Sequence, residues 1–396
     1  MRRTGEEAAA RRIAEAAGAS SSAGPAAEGS PAPVLEARDL RVIRRGRTLV
    51  AVSDFKLAPG EVHVLLGANG AGKSTLLKAL NGLELAQGTL VFGGREVCTN
   101  AARLGLRRRT AAVFQSPYLL QTSVRGNVES GLRLRGVARD VARRRAGEAL
   151  DLLGIAHLAD RKPVGLSGGE AQRVSIARAL AVDPAVVFLD EPMAALDPPT
   201  RRALLADILE IFATASMAVV WVTHDREEAL AVGDTVSFLE CGRVVQTGSS
   251  LEVMAHPASM SFADFLGLDT YLEGAVMSTP EGVSALVLAD GRSIACREAA
   301  EGPAVACLPP EDVVLFSSLP PERSASLRNI VQGKVQSVRP AGRLLHVVVA
   351  AGTLEIAAIV TPAAYEELDL AVGGPVVAAF KASAVHPIPR HERRQT

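Results

Sequence analysis

No apolar run in the 396-residue chain reaches the roughly 20 residues that a bilayer-spanning helix needs. Segments such as Met217 to Val222 (MAVVWV) are too short and read as buried strands. Work at a membrane therefore requires spans from another chain. Arg2 and Arg3 stand near the start, but Glu6, Glu7, Arg11 and Arg12 follow with no apolar stretch, so a secretory leader is not expected. Charge of one sign is also lacking. Lys plus Arg and Asp plus Glu both number 43, and a general nucleic-acid binder would show a basic surplus. Nucleic acid is not an expected partner. Aromatics make up only 4% of the chain, so a core must be built from Ala, Val and Leu. The four cysteines, Cys98, Cys241, Cys296 and Cys307, form no C-x-x-C pair, which excludes a written zinc site. They are expected to be scattered, buried, reduced thiols suited to a reducing cytoplasm.

What is present divides the chain into zones. Residues 1–33 contain GASSSAGPAAEGSPAP and read as a disordered tail with no role. From Val34 a strand pattern begins, Pro59-Gly60 marks a turn, and VHVLL (Val62 to Leu66) is a continuous apolar strand. A helix is expected over Ser74 to Leu83, and Arg133 to Leu153 reads as a helical insert. Further apolar strands at Ala185 to Leu189, Val219 to Val222 and Thr235 to Leu239 predict a parallel sheet covered on both faces. Beyond Leu268 the segments shorten and turn signals such as Asp290-Gly291 and Ala341-Gly342 recur. This predicts an all-β domain over 269–396, as one unit or two small ones in tandem.

Between VHVLL and the first helix lies GANGAGKST, comprising Gly67, Ala68, Asn69, Gly70, Ala71, Gly72, Lys73, Ser74 and Thr75. Strand, glycine-rich loop and helix together form the context for a triphosphate cradle. The glycines let backbone N–H groups wrap phosphate oxygens, Lys73 faces the β and γ phosphates, and Ser74 offers a hydroxyl to Mg²⁺. VVFLDE (Val186 to Glu191) ends a strand in two carboxylates. Asp190 there suits a magnesium partner, and Glu191 is placed to polarise the attacking water.

A third stretch, LSGGEAQRVSIARAL (Leu166 to Leu180), closely resembles the signature of the ABC-type ATPases. The resemblance spans about 34–268. It implies an α/β P-loop ATPase domain with a helical insert, using ATP and Mg²⁺. It also implies that Ser167, Gly168, Gly169 and Glu170 serve the nucleotide of a second subunit, so that two copies sandwich two ATP molecules. Gln115 in VFQSPYLL resembles the Q-loop residue that touches Mg²⁺ and links to the membrane partner. Leu196 and Asp197 resemble the D-loop, with Ala195 where Ser is usual, and His224 in VTHD resembles the switch histidine. By this resemblance the catalytic residues are Glu191, His224 and Gln115, and the metal partners are Ser74, Gln115 and Asp190. The aromatic residue that often stacks on adenine in the family is missing from Val42-Ile43-Arg44-Arg45-Gly46, and Arg44 or Arg45 is the substitute available.

Importer-type members fit best. PYLLQTSVRGNVESGL after Gln115 resembles the surface that receives a permease helix, with Tyr118, Leu119, Leu120 and Val124 as its apolar part. The C-terminal part, with its core near 325–390, resembles the OB-like TOBE domain of the molybdate-binding Mop type. The matching pieces are Ser326-Leu327-Arg328-Asn329, the VTPAAYEELDLAVGG segment and Lys381-Ala382-Ser383-Ala384-Val385. Ser326, Arg328, Lys381 and Ser383 are the candidate oxyanion donors. A related family element carries an arginine where this chain reads Pro309-Pro310-Glu311-Asp312-Val313, so no ligand role carries over there. The expected protein is the ATPase subunit of a molybdate or tungstate importer, on the cytoplasmic face of the membrane. Its partners would be a second ATPase subunit, permease subunits and, indirectly, an external binding protein. The alternatives are another cargo (sulfate, ferric ion or a polyamine), a soluble ABC ATPase, or an oxyanion sensor with a vestigial ATPase.

Overall fold

A computed structural model describes residues 32–214, 217–278, 284–319 and 327–390. Nearly all of the expected disordered tail, together with Ser326, lies outside the described residues. Contacts divide the chain into two units, Met1–Val253 and Met254–Thr396, so the division falls ahead of the expected boundary at Leu268.

The first unit is built on one ten-stranded sheet. In chain order its strands are β1 (Leu35–Arg44), β2 (Arg47–Leu57), β3 (Val62–Leu66), β4 (Gln87–Phe92), β5 (Arg95–Glu96), β6 (Thr110–Val113), β7 (Val186–Asp190), β8 (Ala218–Thr223), β9 (Thr235–Glu240) and β10 (Arg243–Ser249). The spatial order is β5-β4-β1-β2-β10-β9-β3-β8-β7-β6. Strands β9, β3, β8, β7 and β6 run parallel. β3, β7 and β8 are buried at every residue, which is why they read as unbroken apolar runs rather than alternating ones. β1 instead exposes Arg38, Asp39, Arg41 and Arg44, and it pairs antiparallel with β2 and β4 at the sheet's other side.

Among the described residues seven α-helices complete the unit: α1 (Lys73–Leu80), α2 (Asn100–Arg109), α3 (Val124–Leu134), α4 (Arg139–Leu152), α5 (Gly168–Leu180), α6 (Pro198–Thr214) and α7 (Arg226–Val232). The helical insert begins earlier than its arginine-rich composition predicts, at Val124, and is broken after Leu134. Gly136 takes φ 78° there, and Val137 N–H returns to Leu132 O at 3.2 Å, a left-handed helix stop. The parallel strands β3, β8, β7 and β6 are neighbours, so the segments leaving their C-terminal ends are brought together.

The second unit is all-β apart from short helices. After α8 (Ser250–Ala255), which straddles the division, come α9 (Met260–Phe265), β11 (Thr270–Ser278), β12 (Ser284–Leu288), β13 (Ser293–Ala295) and β14 (Gly302–Leu308). Then follow β15 (Val314–Phe316), β16 (Asn329–Ala341), β17 (Leu344–Ala351), β18 (Leu354–Val360), α10 (Pro362–Glu367), β19 (Pro375–Phe380) and β20 (His386–Pro389). Two five-stranded sheets result, ordered β13-β12-β11-β14-β20 and β15-β19-β16-β17-β18. They are not units in tandem, because the last strand, β20, returns to pair with β14 of the first sheet. One core joins them, with Leu272, Leu286 and Ala306 clustering with Val347, Ile356 and Phe380. The segment before β11 belongs to this unit because Ala263 of α9 packs with Cys307 and Ile388. Cys296 and Cys307 are buried as expected, but Cys98 and Cys241 are exposed. Cys241 sits in the tight β9–β10 turn at φ 47°, where its side chain has no core to enter.

Candidate active site

The loop between β3 and α1 follows a path that side chains would block. A Cβ on Gly67 would lie 2.3 Å from Leu239 O, and one on Gly72, at φ 103°, would lie 3.0 Å from Val50 Cγ2. Lys73 opens α1 and is only 4% exposed. Its Nζ donates to Gly67 O at 2.8 Å and Ala68 O at 3.0 Å, so the cation closes the loop on itself. Burial lowers the Lys73 pKa, and the neighbouring carboxylates Glu191 and Asp190 oppose that shift. Ser74, the next residue, donates its hydroxyl to Asp190 Oδ1 at 2.7 Å.

Asp190 is the last residue of β7, and burial raises its pKa despite the Ser74 hydrogen bond. Glu191 follows at φ 46°, a left-handed conformation unusual for a residue with a side chain. Its N–H is held by Val222 O at 3.0 Å. That bend sends its carboxylate toward three partners. Gln115 Nε2 donates to Oε2 at 3.5 Å, His224 Nδ1 lies 3.3 Å from Oε1, and Lys73 Nζ lies 3.7 Å from Oε1. Glu191, Gln115, His224 and Lys73 line a cavity of about 500 Å³, together with Asn69, Gly70, Gly72, Ser74, Thr75 and Ala194. One carboxylate facing a lysine, a histidine and an amide beside a helix N-terminus is an arrangement for holding phosphate and directing water at it.

The comparisons agree with this geometry. The family model described as "ABC transporter" matches residues 50–194, and the TOBE domain model matches 325–387. The molybdate/tungstate import ATP-binding protein WtpC of Pyrococcus horikoshii is 33% identical over 338 residues, covering 85% of this chain and 94% of that protein. This chain belongs to the ABC transporter family, as an importer-type ATP-binding subunit. The Fe(3+) ions import ATP-binding protein FbpC of Streptomyces avermitilis is 40% identical over 243 residues, 60% of this chain and 70% of the relative. The sulfate/thiosulfate import ATP-binding protein CysA of Thermosynechococcus vestitus is 39% identical over 234 residues, 59% and 69%. Among solved structures, cbiO1 from Clostridium perfringens, described as part of the ABC transporter complex cbiONQ, superposes with TM-score 0.53 at 31% identity. It covers 57% of this chain and 91% of its own.

As an ABC ATPase the chain binds and hydrolyses ATP. Among the described residues no group of three or more His, Cys, Asp or Glu is arranged to hold a metal unaided. The site nevertheless fits Mg²⁺, which takes one or two protein oxygens and completes its shell with phosphates and waters. The Ser74 hydroxyl and the Asp190 carboxylate stand side by side at the end of the loop and supply those oxygens.

Not every motif of the ABC ATPase enters this cavity. Ser167 caps α5 in a reciprocal box, accepting from Glu170 N at 3.2 Å while its own N–H donates to Glu170 Oε2 at 2.7 Å. The Ser167 N–H and hydroxyl, both donating to Glu170 Oε2, hold the Glu170 carboxyl below its ordinary pKa. Ser167 and Gly168 are exposed, and neither they nor Gly169 and Glu170 line the cavity. A Cβ on Gly169 would lie 2.5 Å from Thr200 Cγ2, so this glycine is required for α5 to approach α6. Asp197 is also outside the cavity and accepts from Thr200 N at 3.1 Å, capping α6, which lowers its pKa.

The expected permease surface is met only in part. Tyr118 is 76% and Leu120 52% exposed, but Val124 is fully buried and packs inward as the first residue of α3. The loop is stiffened by buried Asn127, which grips Leu120 N and O at 2.6 and 3.0 Å, and by Arg178 of α5, which donates to Tyr118 O at 2.8 Å. In the second unit Asn329 pairs with Phe380 across β16 and β19. Arg328 and Lys381 therefore leave the same end of neighbouring strands, and with Ser383 they are exposed. Arg201 and Glu228, behind the His224 segment, carry no signal in the sequence beyond standing one turn after AALD and after THD.

Proposed function

We propose that the chain energises the import of molybdate or tungstate. Lys73 and the N–H groups of Gly70 to Ser74 hold the β and γ phosphates of ATP. The Glu191 carboxylate takes a proton from water as its oxygen attacks the γ phosphorus, and the bond from that phosphorus to the ADP oxygen breaks. His224 and Gln115, both against Glu191, orient the water and the γ-phosphate. Mg²⁺ at Ser74, Gln115 and Asp190 would neutralise phosphate charge and fix its orientation. Ser167, Gly168, Gly169, Glu170 and Asp197 lie outside the cavity, which suits a second copy closing over this nucleotide while this copy closes over the other. Tyr118 and Leu120 receive permease subunits, which supply the membrane spans and place the chain on the cytoplasmic face, with an external binding protein delivering the cargo.

One observation carries the cargo assignment. The match to the molybdate/tungstate relative extends over 338 residues, more than the first unit holds, whereas the ferric and sulfate relatives match over 243 and 234. The candidate oxyanion donors Arg328, Lys381 and Ser383 belong to the second unit, together with Ser326 outside the described residues. Calorimetric titration of the full chain with molybdate, tungstate and sulfate tests this. Binding of the first two well ahead of sulfate is expected. Equal binding of all three, or none, removes the cargo assignment and leaves the ATPase in place.

A further inference from the structure

His224 sits between two residues that are fixed from behind. On one side, Thr223 donates its hydroxyl to Glu228 Oε2 at 2.8 Å and accepts from Asp225 N at 3.0 Å. On the other, Asp225 caps α7, its Oδ1 accepting from Glu227 N at 2.8 Å and Glu228 N at 3.2 Å. A single cation ties both sides together. Arg201 Nη1 donates to Asp225 Oδ2 at 2.8 Å, and Arg201 Nε lies 3.8 Å from Glu228 Oε1.

Glu228 is 5% exposed, with Trp221 Nε1 3.4 Å from the same Oε2 that Thr223 uses. A buried carboxylate is costly unless it is paired, and Arg201 is the cation beside it. Burial and the neighbouring Asp225 carboxylate raise the Glu228 pKa, while Thr223, Arg201 and Trp221 oppose that shift. Arg201 does not belong to the His224 segment. It rises from the first turn of α6, where its N–H bonds to Asp197 O at 2.9 Å. The neighbouring Thr200 touches both Asp197 and the place where Gly169 approaches.

We propose that Arg201 is a positioning residue for ATP hydrolysis, setting the backbone on both sides of His224 through Asp225 and Glu228. It does not line the cavity, and its effect is exerted through where the imidazole points relative to Glu191. The proposal rests on the role given to His224 above. A displacement of the imidazole by about 1 Å would be enough to cost a large factor in rate without altering how tightly ATP is held.

Single-turnover and steady-state hydrolysis by the full chain separate this from a purely structural role. Arg201→Met is expected to lower kcat by about tenfold or more, with KM for ATP within about threefold, because the loss is confined to the transition state. Arg201→Lys should recover part of that rate, since it restores the charge without the fork. In a His224→Ala background, Arg201→Met should change the single-turnover rate by less than about twofold, because two residues acting through one group do not add. Multiplying losses in the double variant, or an unchanged kcat in Arg201→Met, would overturn the proposal. If Arg201→Met does not fold, Glu228→Gln and Arg201→Lys are compared in the same two backgrounds against the same outcomes. His224→Ala at the wild-type rate would instead remove the role of His224 itself, a result distinct from failure of the coupling.

Discussion

Ser74 Oγ donates to Asp190 Oδ1 across 2.7 Å, joining the first turn of α1 to the last residue of β7. That bond gathers the oxygens a magnesium ion would need, and it does so at a cost. Asp190 is 6% exposed, and burial holds its pKa above the ordinary carboxylate value. Between the ordinary and the raised value the native state therefore keeps a proton that the unfolded chain has released. Stability falls as pH rises from the ordinary carboxylate range through the raised value, and the loss is complete above it. Asp190→Asn keeps an acceptor for Ser74 and removes the charge. The nucleotide-free protein should melt higher at pH 7, by roughly 2–4 °C for each kcal/mol relieved. ATP affinity should at the same time lose its response to Mg²⁺, with values in magnesium and in chelator within about threefold. Scanning calorimetry and nucleotide titration read the two effects, and a lower melting temperature would contradict the account.

Glu191 separates chemistry from binding. Glu191→Gln preserves the shape that meets Gln115, His224 and Lys73 and places no bulkier side chain at the left-handed position. It removes the proposed base. Hydrolysis should fall by about a hundredfold or more, the scale of a lost general base. ATP affinity should survive within about tenfold, since the loop and Lys73 are untouched. Phosphate release and equilibrium nucleotide binding measure the pair, and turnover near wild type would assign the base elsewhere.

A buried amide is one of the links between the two sheets of the second unit, beside the bond from Ala357 N to Thr270 Oγ1 at 2.9 Å. Asn329 is 4% exposed, and its side chain accepts from Ala295 N and donates to Ala295 O, both at 2.8 Å, imitating a peptide strand. Asn329→Ala deletes both bonds and leaves the partly buried N–H and C=O of Ala295 in β13 without their side-chain partner. The expected destabilisation is about 2–4 kcal/mol, from two hydrogen bonds and the desolvation left behind. Asn329→Asp keeps the acceptor but sets a carboxylate against Ala295 O, so it should not rescue. Chemical denaturation of the variants, followed through the second unit, decides this.

How far the sequence could be read depended on how local each feature is. Lys73 and Ser74, or Asp190 and Glu191, are adjacent in the chain, and the apolar runs before them place them at strand ends. Their convergence followed from a parallel sheet whose strands share a direction. Val124 is buried rather than part of the permease surface, and an apolar residue at the start of a helix looks the same in sequence whether it faces a partner or its own core. The return of β20 to β14 spans 79 residues between Cys307 and His386, and no periodicity encodes such a pairing. Arg201 and Glu228 escaped for the same reason, as their meaning lies in a contact between two helices rather than in either motif.

Base selectivity follows from the turn between β1 and β2. Arg44 pairs with Arg47 in the ladder, leaving Arg45 at φ 51° and Gly46 at φ 76° as a two-residue turn with both central residues left-handed. This is the stretch where the family often carries an aromatic residue for adenine, and Arg44 is engaged by Glu84 at 2.7 Å. We expect Arg45 to be the side chain that lies against the base. A guanidinium plane stacks on any purine and reads no edge. ATP and GTP should therefore compete within roughly one order of magnitude, about 1.4 kcal/mol. Arg45→Tyr supplies a ring in place of the guanidinium plane. It should tighten both nucleotides, by up to the roughly 1–3 kcal/mol that stacking on an aromatic is worth, while leaving their ratio nearly unchanged, because every base has a face to stack. Competition between the two nucleotides in wild type and variant measures this. A wild-type preference for ATP far beyond one order of magnitude would mean that hydrogen bonds read the base edge, and the turn would lose its part in recognition.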